Sequence, residues 1–310
     1  MRDIAGDLEI RMIPDDVENP RKAPKGLPAV GVGNQFQFGY IVGSIGTGKT
    51  TFLLNYLDKY FRTRTYDYVF WCSSTSTRDA KVKHVLSKAL EDGYLQDVFY
   101  STDFPLHDIE TFIDTKLEDW QLTQKYISVW KRYMKVLKES GYKYTDLQGR
   151  FEPDEILLLE RFEFLPPEKY PLGKPTFCLV CDDMLGNSEV YSTHMNHGFN
   201  RFITTLRHRR CSVFVSSQSW TQTIPPSLRA MVNMFALFRC SYPKIRKDLS
   251  ETLCGHAVTP TEFEKMWVEA VSNNIHNCFV GLLHEPEDTR FRINLNKGFE
   301  FGNRKLEIGN

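Results

Sequence analysis

The sequence predicts an α/β fold: a mainly parallel sheet flanked by helices, with a helical insertion and a C-terminal strand pair. Three observations carry this expectation. Short apolar runs alternate along the chain with segments of helical spacing. One strand-to-helix junction is a glycine-rich turn, Gly43 to Gly48. A later run, Phe177 to Cys181, is wholly apolar, as a strand covered on both faces is. The chain has 310 residues, 41% of them apolar, which suffices for a sizeable core.

The elements follow in order. Residues 1–34 are rich in Pro, Gly and charge, lack periodicity, and read as an irregular N-terminal arm. Gln35 to Val42 alternates and then turns continuously apolar, as a strand entering a core does. From Thr50 to Phe61, apolar residues recur at Phe52, Leu53, Tyr56, Leu57 and Tyr60, which is helical spacing. Asp67 to Cys72 is a second strand, ended by the polar run Ser73 to Thr77. Residues 78–170 then read as a helical insertion between two core strands. Helical spacing runs from Ile109 to Leu137, Gly141 is a stop signal, and 153–164 is a shorter helix. After the strand Phe177 to Cys181, Ser188 to Arg210 reads as a helix interrupted by Gly198. Ser212 to Ser216 is a strand leading to Gln218, and Met231 to Cys240 contains another. Helices at 243–254 and 260–272 precede the closing pair, Asn277 to Leu283 and Arg290 to Leu295.

Composition removes several classes. No apolar run approaches the roughly 18 residues a membrane span needs. The first residues, MRDIAGDLEIRMIPDD, lack the apolar segment of a secretory signal. The seven cysteines are scattered and odd in number, which reads as reduced thiols inside a cell. Lys+Arg and Asp+Glu both count 39, so a uniformly basic coating protein is excluded. The balance is uneven, however. From Val190 to Lys247 there is no acid, and nine cations: Arg201, Arg207, Arg209, Arg210, Arg229, Arg239, Lys244, Arg246 and Lys247. Such a stretch suggests an anionic partner, phosphate or nucleic acid, unless acids from other segments pair with it.

The glycine-rich turn carries chemistry. Gly43-Ser44-Ile45-Gly46-Thr47-Gly48-Lys49-Thr50, followed by Thr51, matches G-x-x-x-x-G-K-[ST] between a strand and a helix. Glycines let backbone N–H groups curl around a phosphate, and the helix N-terminus adds positive potential. Lys49 then reaches the β- and γ-phosphates of ATP, and the Thr50 hydroxyl holds Mg²⁺. Residues 35–310 are thus expected to form a P-loop ATPase domain.

Phe177-Cys178-Leu179-Val180-Cys181-Asp182-Asp183 supplies the acids. An apolar strand ending in a carboxylate is the Walker B pattern, expected beside the phosphate-loop strand. Asp182 is the expected Mg²⁺ holder and Asp183 the group that polarises attacking water, which favours hydrolysis over transfer to an acceptor. Gln218, ending the next strand, is of a kind that can sense the γ-phosphate or position water. Arg207 and Arg229 flank that strand and are candidates for an arginine finger presented to a neighbouring subunit. Two other signals carry less. Cys178-x-x-Cys181 lies in a strand, where residues three apart face opposite sides, so shared ligation is poor. His194-x-x-His197 with His208 lacks a companion cluster for a metal.

Taken together, GSIGTGKTT at 43–51, CLVCDDM at 178–184, LRHRRCSVFVSSQ at 206–218 and IPPSLRAMVNMFALF at 224–238 resemble the FtsK–HerA class of P-loop ATPases. The nearest likeness is the poxvirus-type genome-packaging ATPase of large DNA viruses and virophages. The likeness covers about residues 35–75 and 176–300. It departs where many relatives carry Asp-Glu and this chain has Asp182-Asp183. The resemblance implies a ring homo-oligomer that hydrolyses ATP and drives double-stranded DNA into a preformed capsid. It also implies a docking partner on the capsid or its vertex. The place of action would be the host cytoplasm, a viral factory or the virion. Alternatives are a P-loop kinase with a small acceptor, a non-packaging DNA translocase and a nucleotide-dependent scaffold. A GTPase is disfavoured because no N-K-x-D segment is present.

Overall fold

The central sheet is assembled from strands far apart in sequence. In the computed structural model, β1 (Phe38–Val42) leads through the glycine turn into α1 (Lys49–Arg62). β2 (Tyr68–Ser73), α2 (Ala80–Glu91) and β3 (Asp97–Ser101) follow, then α3 (Leu106–Glu139) and α4 (Pro153–Arg161). β4 (Phe177–Asp182), α5 (Gly198–Thr204), α6 (Leu206–Arg209) and β5 (Cys211–Ser217) come next. α7 (Pro226–Arg229), β6 (Met234–Leu237), α8 (Pro243–Leu253) and α9 (Pro260–Ser272) lead to the end. There β7 (Phe279–Leu282), α10 (Glu287–Arg290), β8 (Phe291–Ile293) and β9 (Lys297–Gly298) close the chain. The structure describes residues 23–30, 36–74, 79–140, 149–170, 173–184, 187–188, 190, 194, 197–220, 225–240, 242–253 and 258–299. Gly141, Cys254 and most of the expected N-terminal arm lie outside these. Within the arm, Leu27 and Val30 are buried.

The strand order is β3-β2-β4-β5-β1-β6-β7-β8-β9. β3 through β6 pair in parallel, and β7 to β9 add an antiparallel edge. This is the P-loop NTPase arrangement, a mostly parallel sheet flanked by helices. The expectation that the Walker B strand lies beside the phosphate-loop strand is corrected. β5 lies between them, with Val42 opposite Ser217 on one side and Asp182 opposite Ser216 on the other. Chain order does not dictate sheet order when long crossovers join parallel strands, so neighbours in motif need not be neighbours in space.

Apolar spacing explains the packing. α1 buries Phe52, Leu53, Tyr56, Leu57 and Tyr60, the residues its sequence places on one face. Phe52 and Tyr56 meet Phe238 and Phe214 edge to face, with centroids 5.9 and 5.8 Å apart. Gly39 makes that approach possible, since a Cβ there would lie 2.4 Å from the Phe214 ring. β1, β2, β4, β5 and β6 are buried along their whole length, as strands covered by helices on both faces must be.

Two expected boundaries change. The block 78–170 is not wholly helical: α2 and β3 extend the core sheet by one parallel strand beyond β2. β3 is a short, half-exposed edge strand, Asp-Val-Phe-Tyr-Ser, and lacks the apolar density of the inner strands. The part that stands apart is α3 and α4. Tyr126 stacks on Phe162 at 4.2 Å, and with Val129, Phe151 and Leu159 they build a small second core. Of the expected helix 188–210, residues 198–209 form two short helices, α5 and α6, broken at Thr205, and several residues before Gly198 lie outside the described ones.

Candidate active site

The phosphate loop is fixed at its start by the sheet. The Gly43 N–H donates to Ser217 O (3.3 Å) and the Ser44 N–H to Arg239 O (3.2 Å). Gly43 allows this, because a Cβ there would lie 2.5 Å from Phe238 Cβ. Gly48 takes the N-cap place at φ +99°, a left-handed backbone that side chains disfavour. It offers no side-chain cap, so the first N–H groups of α1 stay available to an anion. Lys49 arches back over the loop, donating to Gly43 O (3.0 Å) and Ser44 O (3.1 Å). Burial pushes its ammonium pKa down, while Asp183 and Asp182 oppose that shift.

The loop meets the acid pair across the end of β5. The Thr50 hydroxyl donates to Asp182 Oδ2 at 2.7 Å. Asp182 is 5% exposed, and burial raises its pKa, with the Thr50 and Ser216 hydroxyls and Lys49 opposing and Asp183 adding to the rise. Its other oxygen, Oδ1, is buried without a partner in hydrogen-bonding geometry, although the Ser216 hydroxyl is near enough to favour the charged form. A hydroxyl and a carboxylate with an unsatisfied oxygen are hard donors suited to Mg²⁺. Thr50 and Asp182 are the residues that would hold it.

Asp183 is exposed and sits at φ +49°. Its N–H donates to Ser216 O (3.1 Å), and its Oδ1 accepts from Gln218 Nε2 (3.3 Å). A non-glycine residue in the left-handed region is held there by its surroundings and is common at sites of chemistry. The turn aims the second carboxylate away from the first and toward the amide at the end of β5. Asp182, Asp183 and Gln218 are therefore brought together with Lys49 and Thr50.

The arginines are not. Arg207 lies in α6, before the N-terminal end of β5, whereas the site lies at its C-terminal end. Seven residues of strand, roughly 23 Å, separate the two ends. Arg229 sits over the Trp220 ring at 6.0 Å. Arg207 therefore lies outside the γ-phosphate layer of its own chain, whereas α7, which carries Arg229, follows the C-terminal end of β5. Other cations of the acid-free stretch find acids elsewhere. Arg209 pairs with Glu110 (2.9 Å), Arg246 with Glu264 (2.9 Å) and Lys247 with Glu251 (3.8 Å).

A cavity of about 820 Å³ opens over the loop, within the range of small-molecule sites. Its walls include Ile45, Gly46 and Gly48 to Phe52, both aspartates, Asn55 and Lys59 of α1, and Asp79 and Lys81 at the start of α2. His276, Asn294, Leu295 and Asn296 close it from the C-terminal hairpin. Sequence reasoning did not single out this last group. The His276 ring rests on the loop, Nδ1 3.3 Å from Thr47 O, across 229 residues of chain. No spacing rule links residues so far apart. The six described cysteines are buried free thiols, burial pushes the Cys178 and Cys181 pKa values well up, and no metal-binding cluster occurs among the described residues.

No protein-family model and no curated protein matches the chain. Solved structures similar to it include the genome-packaging NTPase B204 of Sulfolobus turreted icosahedral virus 2 in complex with AMP. That alignment has 12% identity and TM-score 0.45, covering 83% of this chain and 96% of that one. EssC (ATPases 2 and 3) from Geobacillus thermodenitrificans aligns at 14% identity and TM-score 0.44, over 84% of this chain and 39% of that one. The pCW3 conjugation coupling protein TcpA, with ATPγS, aligns at 13% identity and TM-score 0.41, over 88% and 68%.

Proposed function

We propose that this chain is an ATP-hydrolysing motor that translocates double-stranded DNA, and that its task is packaging a viral genome into a preformed capsid. The observation that supports hydrolysis best is the 2.7 Å bond from Thr50 to Asp182, joining the phosphate loop to a buried carboxylate with a free oxygen. The loop N–H groups and Lys49 bind the phosphates. Thr50 and Asp182 would hold Mg²⁺, which when bound would supply positive charge to offset that developing on the phosphates. Asp183, oriented by the Gln218 amide, accepts the proton of a water aimed at the γ-phosphorus. That pair favours water over an alcohol acceptor, and so hydrolysis over a kinase.

The DNA and capsid parts rest on the resemblance carried by the motifs at 43–51, 178–184 and 206–238. A ring of identical subunits, a capsid or vertex partner and action in the host cytoplasm, a viral factory or the virion belong to the same proposal. Arg207, at the far end of β5, and Arg229, which does not line the cavity, enter this scheme as residues offered to a neighbour. Phosphate release measured with and without double-stranded DNA tests the reading. Stimulation by DNA is expected. Release that requires a small acceptor and ignores DNA would refute it.

A further inference from the structure

The long helix α3 carries its charge in two blocks. Up to Trp120 it holds Asp108, Glu110, Asp114, Glu118 and Asp119 against the single cation Lys116. From Gln121 it holds Lys125, Lys131, Arg132, Lys135 and Lys138 against Glu139 alone. A helix dipole is complemented by charges in the end turns only, so it accounts for Asp108 and Lys138 and not for blocks several turns deep.

The two blocks differ in what they touch. In the acidic half, Glu110 and Asp114 grip Arg209 (2.9 and 3.6 Å), which fastens α3 to α6. In the basic half, Arg132 is held by Glu155 and lies over the Phe151 ring. The side chains of Lys131, Lys135 and Lys138 are exposed and make no ion pair or hydrogen bond among the described residues. Tyr126 and Val129 face the small second core, with Tyr133 and Val136 packed against it. A rotation of about 100° per residue puts Gln124, Ser128, Lys131, Lys135 and Lys138 on the opposite side. That outer face has no carboxylate from 124 to 138. An ordinary solvated face mixes both signs. The three lysines rise about 6 and 4.5 Å apart along the axis, within reach of neighbouring phosphates for side chains this long.

We infer that Lys131, Lys135 and Lys138 form a docking surface for the phosphate backbone of double-stranded DNA. The inference rests on the DNA-motor reading and locates its contact on the projecting helix. It replaces the acid-free stretch, where Arg209, Arg246 and Lys247 already have acidic partners. The acidic block of α3 in a second copy would be the other natural complement. Its Glu110 and Asp114 are, however, occupied within their own chain. Lysines grip phosphates as point charges, so the contact is independent of base sequence.

The test uses the full chain and a fluorescent double-stranded DNA of mixed sequence, with affinity followed across a salt series. Wild type binds. The Lys131→Gln/Lys135→Gln/Lys138→Gln variant flattens the slope of log K against log salt by about 2.7, three contacts at about 0.9 each. Its affinity at 0.1 M salt falls on the order of 10²-fold, and its basal hydrolysis is unchanged. The same three positions as Arg keep the wild-type slope. So does the charge-matched control Lys83→Gln/Lys88→Gln/Lys265→Gln, at exposed positions elsewhere. An unchanged slope in the first variant, with wild type still binding, overturns this surface and leaves the DNA motor standing. Equal loss in the control overturns it too. Weakened self-association with an unchanged slope assigns the surface to a second copy instead. A wild type that binds no duplex overturns both readings.

Discussion

Replacing Asp182 by Asn separates what this residue does for the fold from what it does for chemistry. The side chain is 5% exposed, one oxygen lacks a partner, and burial raises its pKa. The charge is therefore unfavourable in the nucleotide-free fold. Asn keeps the shape, removes the charge, and can donate its amide to Thr50 Oγ. A buried unsatisfied group costs about 1–3 kcal/mol, and the Thr50 and Ser216 hydroxyls and Lys49 already offset part of that. Asp182→Asn should thus stabilise the empty protein by about 1 kcal/mol, or about 2 °C in Tm for a chain of this length. The pH dependence has a definite sign. Because the folded pKa lies above the unfolded one, the folded state binds more protons between them, and wild-type stability falls as pH rises through that window. The advantage of Asn is full above the folded pKa and vanishes as pH drops below the ordinary aspartate value of 3.8. With Mg²⁺ and ATP the order reverses. Ligand at a hundredfold excess over Kd stabilises wild type by about 2.7 kcal/mol, and the variant loses the metal-dependent share. Thermal unfolding with and without Mg²⁺–ATP, repeated with a chelator and at several pH values, reads all of this. An Asn variant less stable than wild type when empty at neutral pH would refute the reasoning, as would a difference that does not shrink toward acid.

Lys49→Ala should abolish hydrolysis while the protein stays folded; turnover at the wild-type rate would remove the site assignment. Asp183→Asn should lower kcat by roughly 10²–10⁴-fold with little change in ATP affinity, the mark of a group acting in the transition state. Gln218→Ala should move kcat in the same direction by less, since it acts by orienting Asp183; a rise in KM alone would contradict both. Gly43→Ala forces a Cβ to 2.5 Å from Phe238 Cβ and should cost about 1–3 kcal/mol, read from the urea midpoint. Arg207→Ala or Arg229→Ala, each inactive alone, should regain hydrolysis when mixed with Lys49→Ala if the arginine serves a neighbour. Full activity of the single arginine variants excludes that role.

Local signals were the legible ones. The phosphate loop, the strand before it and the helix after it follow from glycines, one lysine and a 3.6-residue rhythm, all within about twenty-five residues. Asp182 and Asp183 announce themselves by ending an apolar strand. What stayed hidden depends on long crossovers. That β5 separates β1 from β4 is a property of the sheet, and no residue in β5 encodes it alone. β3 escaped because an edge strand needs little apolar density. His276, Asn294 and Asn296 reach the cavity only because the C-terminal hairpin folds back over the loop. Arg207 misled because nearness to the strand in sequence says nothing about which end of it a residue occupies.

The strand between the two halves of the site has a dimensional consequence. Neighbouring strands lie about 4.8 Å apart, so β1, which leads into the phosphate loop, and acid-bearing β4 stand about 9.6 Å apart at their tips. Across that spacing the loop turns back far enough for the Thr50 hydroxyl to reach Asp182 at 2.7 Å, and β5 acts as the gauge that sets the width. Its last residues, Ser216 and Ser217, are small and fully buried between the two halves. A larger side chain at either position would widen or twist the gap, and at Ser216 it would also press on Asp182. The size of those two serines is thus as much a condition of the chemistry as the charges on either side.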